Sequence, residues 1–144
     1  MVQNLRNLLF LVGFTMTIMV NAEPVQLTMY KQAGCMCCDK HAEILEQEGF
    51  KVTIKEKDNL NLLKSELNIP EEFMGCHTMI VDKYIVEGHV PGDIILRLLK
   101  EKPDIRGISL PGMPMGSPGM PGQRNEQLEV YVIDEDNRTT FAQF

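Results

Sequence analysis

Three cysteines within four residues, together with a fourth that lies beside a histidine, constrain this chain more than any other feature. Cys35, Cys37 and Cys38 form the close group, and Cys76 directly precedes His77. Soft thiolates packed this closely favour a soft cation such as Cu(I), or thiol–disulfide exchange, over ordinary core packing.

The first 22 residues have the form of a secretory signal peptide. Arg6 supplies a positive start, an apolar stretch follows over residues 8–20, and small residues precede Glu23. This pattern predicts cleavage after Ala22 and export of the chain. The alternative is an uncleaved membrane anchor, which is disfavoured because the stretch is shorter than the roughly 20 apolar residues that span a bilayer.

The predicted mature chain is acidic and long enough for one small domain. Loss of Arg6 with the leader changes the net charge from -6 to -7, and the chain has no tryptophan. Such a surface repels nucleic acid and anionic lipid, and few aromatic rings are present on which bases could stack. We therefore expect no nucleic-acid partner and, after leader cleavage, no membrane partner.

The pattern of apolar residues predicts a βαβαββα order over residues 23–106. Strands are predicted at 25–30, 50–57, 77–82 and 84–87, and helices at 38–47, at 60–67 with Asn59 as its cap, and after Pro91. This order matches the thioredoxin topology, so the predicted fold class is α/β, thioredoxin-like. The cysteine loop then follows the first strand, at the end of the sheet where ligands bind.

The C-terminal part of the chain, residues 107–144, differs sharply in composition. Residues 107–122 are rich in proline and glycine, which predicts neither a regular helix nor a regular strand there. Residues 128–133 and 139–144 predict two strands joined by a polar turn, as a β-hairpin extension or an addition to the sheet. The predicted organisation is a signal peptide (1–22), a thioredoxin-like domain (23–106), and a Met/Pro/Gly loop with C-terminal strands (107–144).

The cysteine spacing supports more than one chemistry. Cys35 and Cys38 have the C-x-x-C spacing of a thiol–disulfide oxidoreductase, at a helix N-terminus that stabilises a thiolate. Cys37 would divert such an exchange, so three thiols favour a soft-metal site over a clean redox pair. Two structural disulfides remain an alternative in an exported protein, and zinc is another, although the paired spacing of a zinc ribbon is missing.

Each of the three histidines lies near the cysteines in sequence or in the predicted fold. His41 shares a helical face with Cys37 and Cys38, and is either a metal ligand, a group that tunes a thiolate, or a surface residue. His77 is expected on the opposite strand face from Cys76, as a buried, hydrogen-bonded residue. His89 precedes the last helix, where it is either a ligand or a residue that orients one.

Three methionines of the Pro/Gly segment, Met113, Met115 and Met120, follow no helical apolar period. Thioethers bind Cu(I) in an oxidising compartment without forming disulfides, which makes these residues candidate ligands on a flexible arm. The alternative is a turn-rich lid that packs its methionines over the domain.

Four motifs resemble, in the same order, those of the CopG-type periplasmic copper-resistance proteins of bacteria. They are Gly34-Cys35-Met36-Cys37-Cys38, Cys76-His77-Thr78, Glu87-Gly88-His89-Val90-Pro91, and the run at 110–120. The resemblance covers nearly the whole mature chain and implies a thioredoxin-like fold, a periplasmic location and a role in handling Cu(I) and Cu(II). Family members commonly have Gly where Met36 stands, and a Trp shortly after the third cysteine.

We therefore expect a periplasmic copper-binding protein of copper resistance that holds Cu(I), as a polynuclear cluster, and interconverts Cu(I) and Cu(II). Copper ions and other periplasmic copper-handling proteins are the expected partners. The alternatives are a thiol–disulfide oxidoreductase with Cys35 and Cys38 as its catalytic pair, and a passive copper chaperone or buffer. The metal ligands expected from the resemblance are Cys35, Cys37, Cys38 and Cys76, with His41, His89, Met113, Met115 and Met120 as further candidates.

Overall fold

A computed structural model describes residues 23–134 and 138–144. The predicted leader and most of the predicted turn at 134–137 lie outside these residues. No described helix is long and apolar enough to cross a membrane. The elements, in chain order, are β1 (Val25–Lys31), α1 (Met36–Gln47), β2 (Phe50–Glu56), α2 (Leu60–Glu66), a 3₁₀ turn (Glu71–Phe73), β3 (Thr78–Val81), β4 (Tyr84–Glu87), α3 (Gly92–Glu101), β5 (Gly107–Ser109), β6 (Glu129–Val132) and β7 (Thr140–Gln143).

The α/β class and the βαβαββα order predicted for residues 23–106 are confirmed. The helix boundaries follow local chemistry. The Asn59 side-chain oxygen accepts a hydrogen bond from the Leu62 N–H at 3.1 Å, which caps α2 as predicted. Pro91 stands immediately before α3, because its fixed φ suits a helix start and its missing N–H costs nothing there.

The pairing of the first, third and fourth strands places the cysteine loop. β1 runs parallel to β2 and antiparallel to β3, and β3 runs antiparallel to β4. Tyr30, near the end of β1, pairs with Thr78 at the start of β3, and Thr78 pairs with Glu87 at the end of β4. The segments that follow β1, precede β3 and follow β4 therefore meet at one edge of the sheet, which we call the site edge.

The prediction that residues 107–122 contain no strand is wrong at their start. Gly107–Ser109 forms β5, which pairs parallel with β4 through Val86 and Ile108. A glycine is required at 107 because an added Cβ would lie 2.0 Å from the Ile85 carbonyl oxygen. The predicted C-terminal hairpin is confirmed as β6 and β7, and it extends the same sheet in the order β2-β1-β3-β4-β5-β6-β7.

The alternating strand residues divide the core between the two faces of the sheet. Helices α1 and α3 cover one face, where Met29, Met79 and Val86 are fully buried with Leu45 and Leu98. On the other face, the 3₁₀ turn and the residues after α2 cover a smaller cluster of Ile69, Phe73, Ile85 and Ile133. The side chains of Thr78 and Glu87 belong to this second face, since they alternate with Met79 and Val86 along their strands.

Two glycines with positive φ permit a direct test of the close packing at the site edge. Gly88 has φ +78, and a Cβ there would lie 2.2 Å from the Leu110 carbonyl oxygen, whereas Gly49 has φ +95 and open space around it. Gly49→Ala should therefore cost about 1 kcal/mol for its left-handed backbone alone. Gly88→Ala should cost at least about 3 kcal/mol, because the backbone of the Leu110 segment must also move. Urea unfolding of both variants measures this difference, and equal costs would contradict it.

Candidate metal centre

All four cysteine sulfurs converge at the site edge. Cys35 immediately precedes α1, Cys37 and Cys38 lie in its first turn, and Cys76 comes just before β3. Cys76 Sγ lies 3.2 Å from the Sγ of Cys35, 3.6 Å from that of Cys37 and 3.3 Å from that of Cys38. Cys38 is fully buried and the other three are half-buried. The convergence of Cys76 on the C-x-C-C group is what the predicted topology requires.

The structure holds this group in a partly oxidised state. Cys35 and Cys38 form a disulfide, as their C-x-x-C spacing permits, and Cys37 and Cys76 are free thiols. Burial raises the pKa of Cys76 to about 12, with a hydrogen bond to Cys37 as a further cause. In the metal-free protein Cys76 is therefore a neutral thiol at pH 7, and a thiophilic cation must displace its proton to bind.

Three buried histidine rings pack together beneath the sulfurs. The centroid of the His77 ring lies 5.0 Å from that of His41 and 4.7 Å from that of His89. His41 Nε2 lies 3.0 Å from the Val90 carbonyl oxygen and must donate to it, so Nδ1 of the neutral ring accepts from His77 Nε2–H at 3.0 Å. His89 Nδ1–H donates to the Pro118 carbonyl oxygen at 2.7 Å.

These hydrogen bonds leave two imidazole nitrogens as buried lone pairs. His77 Nδ1 and His89 Nε2 have no hydrogen-bond partner among the residues that the structure describes. Unpaired buried polar atoms are costly, and at functional sites they often face a ligand. One donor atom from each of Cys38, Cys76, His77 and His89 lies within 4.8 Å of the others, as do the four cysteine sulfurs. Cys38 and Cys76 therefore belong to two possible donor groups. One group contains the four cysteine sulfurs, and the other contains these two sulfurs with a nitrogen from each of His77 and His89.

Burial keeps all three imidazoles neutral. It lowers the pKa of His41 from 6.5 to about 3, with the neighbouring His89 as a second cause. Burial also lowers the pKa of His77 well below its ordinary value, and it lowers that of His89. Neutral imidazole is the form that binds metals, so the free nitrogens of His77 and His89 are available for that role.

The three histidines differ in which ring nitrogens are hydrogen-bonded and which are free. His41, a candidate ligand, has both ring nitrogens in hydrogen bonds and instead orients His77. The prediction that His77 is buried and hydrogen-bonded is confirmed, but its predicted placement opposite Cys76 is wrong. The reason is that β3 begins only at Thr78, so strand alternation does not apply to the two residues before it. In the sequence, His77 is marked by its adjacency to Cys76 and by its place in the Cys76-His77-Thr78 motif.

The candidate methionines separate into two groups. Met120 lines a groove of about 550 Å³ beside Cys37, and Met36 and Lys40 line the same groove. Met113 and Met115 are 56% and 63% exposed and lie outside that lining.

The segment that carries Met120 packs closely on α1. A Cβ at Gly119 would lie 2.7 Å from the Cys37 carbonyl oxygen, and the Pro118 carbonyl oxygen holds His89. The backbone at 118–119 is therefore fixed against the site, while the side chains of Met113 and Met115 project into solvent.

A thioredoxin-like α/β fold with four cysteines and two free imidazole nitrogens at one sheet edge defines a thiol protein suited to binding soft metals. Two solved structures of a copper resistance protein CopG, its form 2 and form 1, are similar to this chain, each at 37% identity. Their TM-scores are 0.78 and 0.76, and the matches cover 85% of this chain and 99% and 98% of theirs. The chain therefore belongs to the CopG family of copper resistance proteins.

A family model described as a protein of unknown function, DUF411, matches residues 73–120. The matched residues contain Cys76, His77, His89 and Met120. No curated protein matches the sequence.

The neutral histidines make the stability of the metal-free protein depend on pH. A histidine whose pKa is lowered by folding contributes stability that is complete above about pH 6.5 and is lost as pH falls toward its folded pKa. For His41 the loss at pH 5 is about 2 kcal/mol, at 1.36 kcal/mol per pKa unit. Urea unfolding should show a clear fall in unfolding free energy from pH 7 to pH 5, and a smaller fall in His41→Gln. A free energy that stays flat over this range would contradict the assignment.

Proposed function

We propose that this protein is an exported copper-handling protein, periplasmic in location, that holds Cu(I) through the thiolates of its four cysteines. The observation that carries the proposal is the convergence of Cys76 Sγ on the three sulfurs of the C-x-C-C group, at 3.2–3.6 Å. Thiolates select soft cations, and a sulfur that bridges two Cu(I) ions lets four cysteines serve several ions. Binding of more than one ion, as a cluster, therefore belongs to the proposal.

The histidines complete the donor set on its buried side. His77 Nδ1 and His89 Nε2 are buried lone pairs without protons, and one ring nitrogen of each histidine lies within 4.8 Å of the sulfurs of Cys38 and Cys76. Imidazole nitrogen binds both oxidation states of copper, whereas thiolate favours Cu(I). A donor set of this kind supports a site that accepts copper in either state, and membership of the CopG family supports copper over zinc.

The disulfide supports an electron-transfer role for Cys35 and Cys38. In the reduced protein, these two thiols give up two electrons and two protons as their S–S bond forms, and two Cu(II) ions take one electron each to become two Cu(I) ions. Cys37 and Cys76 remain as thiols to hold the product. An external dithiol reductant, which becomes oxidised to its own disulfide, restores the starting state by thiol–disulfide exchange.

A thiol–disulfide oxidoreductase acting on other proteins is a second candidate, favoured by the same Cys35–Cys38 disulfide at the start of α1. Cys37 is a free thiol whose Sγ lies 3.5 Å from that of Cys35, so an intramolecular thiol competes with any protein substrate for the disulfide. We therefore rank this activity below copper handling. Reduction of a disulfide-bonded protein substrate by the metal-free dithiol form, at rates comparable to Cu(II) reduction, would reverse the order.

A groove beside Cys37 gives copper a route to the sulfurs. Met36 and Met120 line this groove, and its remaining lining is largely apolar. Thioethers bind Cu(I) weakly enough to exchange it, because they carry no charge. We infer that Met120 assists transfer through this groove, and that Met113 and Met115 do not.

Replacement of Cys37 tests the four-thiolate site. Anaerobic titration of the reduced wild-type protein should show more than one tightly bound Cu(I) per chain. Cys37→Ser should lower this capacity sharply, since the hydroxyl that replaces the thiolate is a poor ligand for a soft cation. An unchanged unfolding midpoint would show that the variant is folded. Full Cu(I) loading with wild-type affinity in the variant would refute the cluster.

Two conservative methionine variants test the groove. Met120→Leu and Met115→Leu each replace a thioether by a hydrocarbon of similar size, so packing is largely retained. We expect Met120→Leu to slow Cu(I) transfer to a competing chelator by about tenfold, the lower end of what loss of a supporting group costs a metal site. Met115→Leu is the matched control and should transfer Cu(I) at the wild-type rate. Identical rates in both variants would remove the thioether role.

A further inference from the structure

A buried ion pair lies directly behind the segment that carries Cys76. The Lys64 ammonium, on α2, contacts the Glu87 carboxylate, at the end of β4, and their side chains are 2% and 0% exposed. Charged side chains are almost never this buried unless they are paired. Pairing alone often fails to offset the desolvation of two charges, so a buried pair is weak evidence for a contribution to stability.

The pair binds both polar groups of the backbone at Gly75. Lys64 Nζ donates to the Gly75 carbonyl oxygen at 2.7 Å, and the Gly75 N–H donates to Glu87 Oε1 at 2.8 Å. The second carboxylate oxygen, Glu87 Oε2, accepts from Thr78 Oγ1 at 2.6 Å. One carboxylate therefore holds the chain on both sides of Cys76.

We propose that Lys64 and Glu87 are positioning residues, which set where Cys76 Sγ lies among the other three sulfurs. The proposal rests on the proposed function in that it takes these sulfurs as copper ligands. Three of the four cysteines lie within one short segment at the start of α1, so their relative positions follow from local chain geometry. Cys76 comes from a different segment, and its distance to the others depends on how that segment is held.

The network acts through position because its charges oppose one another at the thiol. Burial is the largest cause of the raised pKa of Cys76, and among the smaller causes Lys64 lowers that pKa while Glu87 raises it. The two charges of the pair therefore act in opposite directions on the Cys76 thiol, whereas its hydrogen bonds both fix the peptide that precedes Cys76. Gly75 itself can take no side chain, since a Cβ would lie 2.6 Å from the Gly88 Cα.

Two double variants and a matched control separate position from stability. Lys64→Met/Glu87→Leu replaces the pair by apolar side chains, a change that often leaves stability intact. Lys64→Met/Glu87→Gln keeps an acceptor for the Gly75 N–H but no donor for its carbonyl oxygen. Lys31→Met is the control, because Lys31 is a second buried lysine whose partners, Asp39 and Glu56, do not hold the Cys76 segment.

The reduced, metal-free proteins are compared by the alkylation rate of Cys76, read by mass spectrometry, and by urea unfolding. Their Cu(I) affinities are then measured by competition with a chelator. In Lys64→Met/Glu87→Leu we expect faster alkylation of Cys76 and a loss of about 10–100-fold in Cu(I) affinity, as is typical when groups that hold a ligand are removed. Lys64→Met/Glu87→Gln should change the alkylation rate and the Cu(I) affinity in the same directions, but less. This variant provides the test if Lys64→Met/Glu87→Leu does not fold.

The control variant distinguishes a positioning role of Lys64 and Glu87 from a contribution to stability alone. Lys31→Met should lower the unfolding free energy while leaving Cys76 alkylation unchanged, because its partners do not contact the Cys76 segment. The proposal would be overturned if both double variants kept the wild-type alkylation rate of Cys76 and the wild-type Cu(I) affinity. It would also be overturned if the changes in the double variants and in Lys31→Met depended in the same way on the loss of unfolding free energy. If the wild-type protein binds no Cu(I), the proposed function fails, whereas the alkylation rates of the metal-free proteins still decide the positioning role.

Discussion

The candidate metal centre depends on how closely three backbone segments pass one another at the site edge. Gly75 and Gly88 meet without side chains, and the Leu110 carbonyl oxygen fills the space where a Gly88 Cβ would stand. This crossing brings the segment before β3, the segment after β4 and the start of the Pro/Gly-rich loop to one point. Cys76, His77, His89 and the loop that reaches α1 all take their positions from it, so a methyl group at the crossing would displace these donors relative to the cysteines of α1.

Burial then sets the chemistry of the donors that the crossing brings together. It holds the three imidazoles neutral, and the hydrogen bonds to His41 and to the Pro118 carbonyl oxygen decide which nitrogen of the His77 and His89 rings is free. The same burial keeps the Cys76 thiol protonated until a metal replaces the proton. The metal-free centre is thus uncharged at these groups, which avoids the cost of isolated buried charge and leaves affinity for cations that bind thiolate strongly.

Much of the fold and the grouping of the four cysteines can be predicted from local sequence patterns. The residues that surround and position these cysteines cannot. The Asn59 cap, Pro91 and the alternating strands are local signals, and the C-x-C-C group with Cys76 pointed to converging sulfurs because thioredoxin-like topology brings β1 and β3 together. The free lone pair of His77 depends on β3 starting at Thr78, one residue later than predicted, and on a hydrogen bond that His77 donates to His41 on α1. Lys64 and Glu87 resemble ordinary surface residues in the sequence, since only tertiary packing buries them.

Copper K-edge X-ray absorption of the reduced protein loaded with Cu(I) tests the central claim most directly. We expect a first shell dominated by sulfur, a minor nitrogen contribution, and scattering from a second copper at short distance, because bridging thiolates hold neighbouring ions together. A first shell of nitrogen and oxygen, or isolated copper ions with no copper neighbour, would contradict a four-thiolate cluster in this protein.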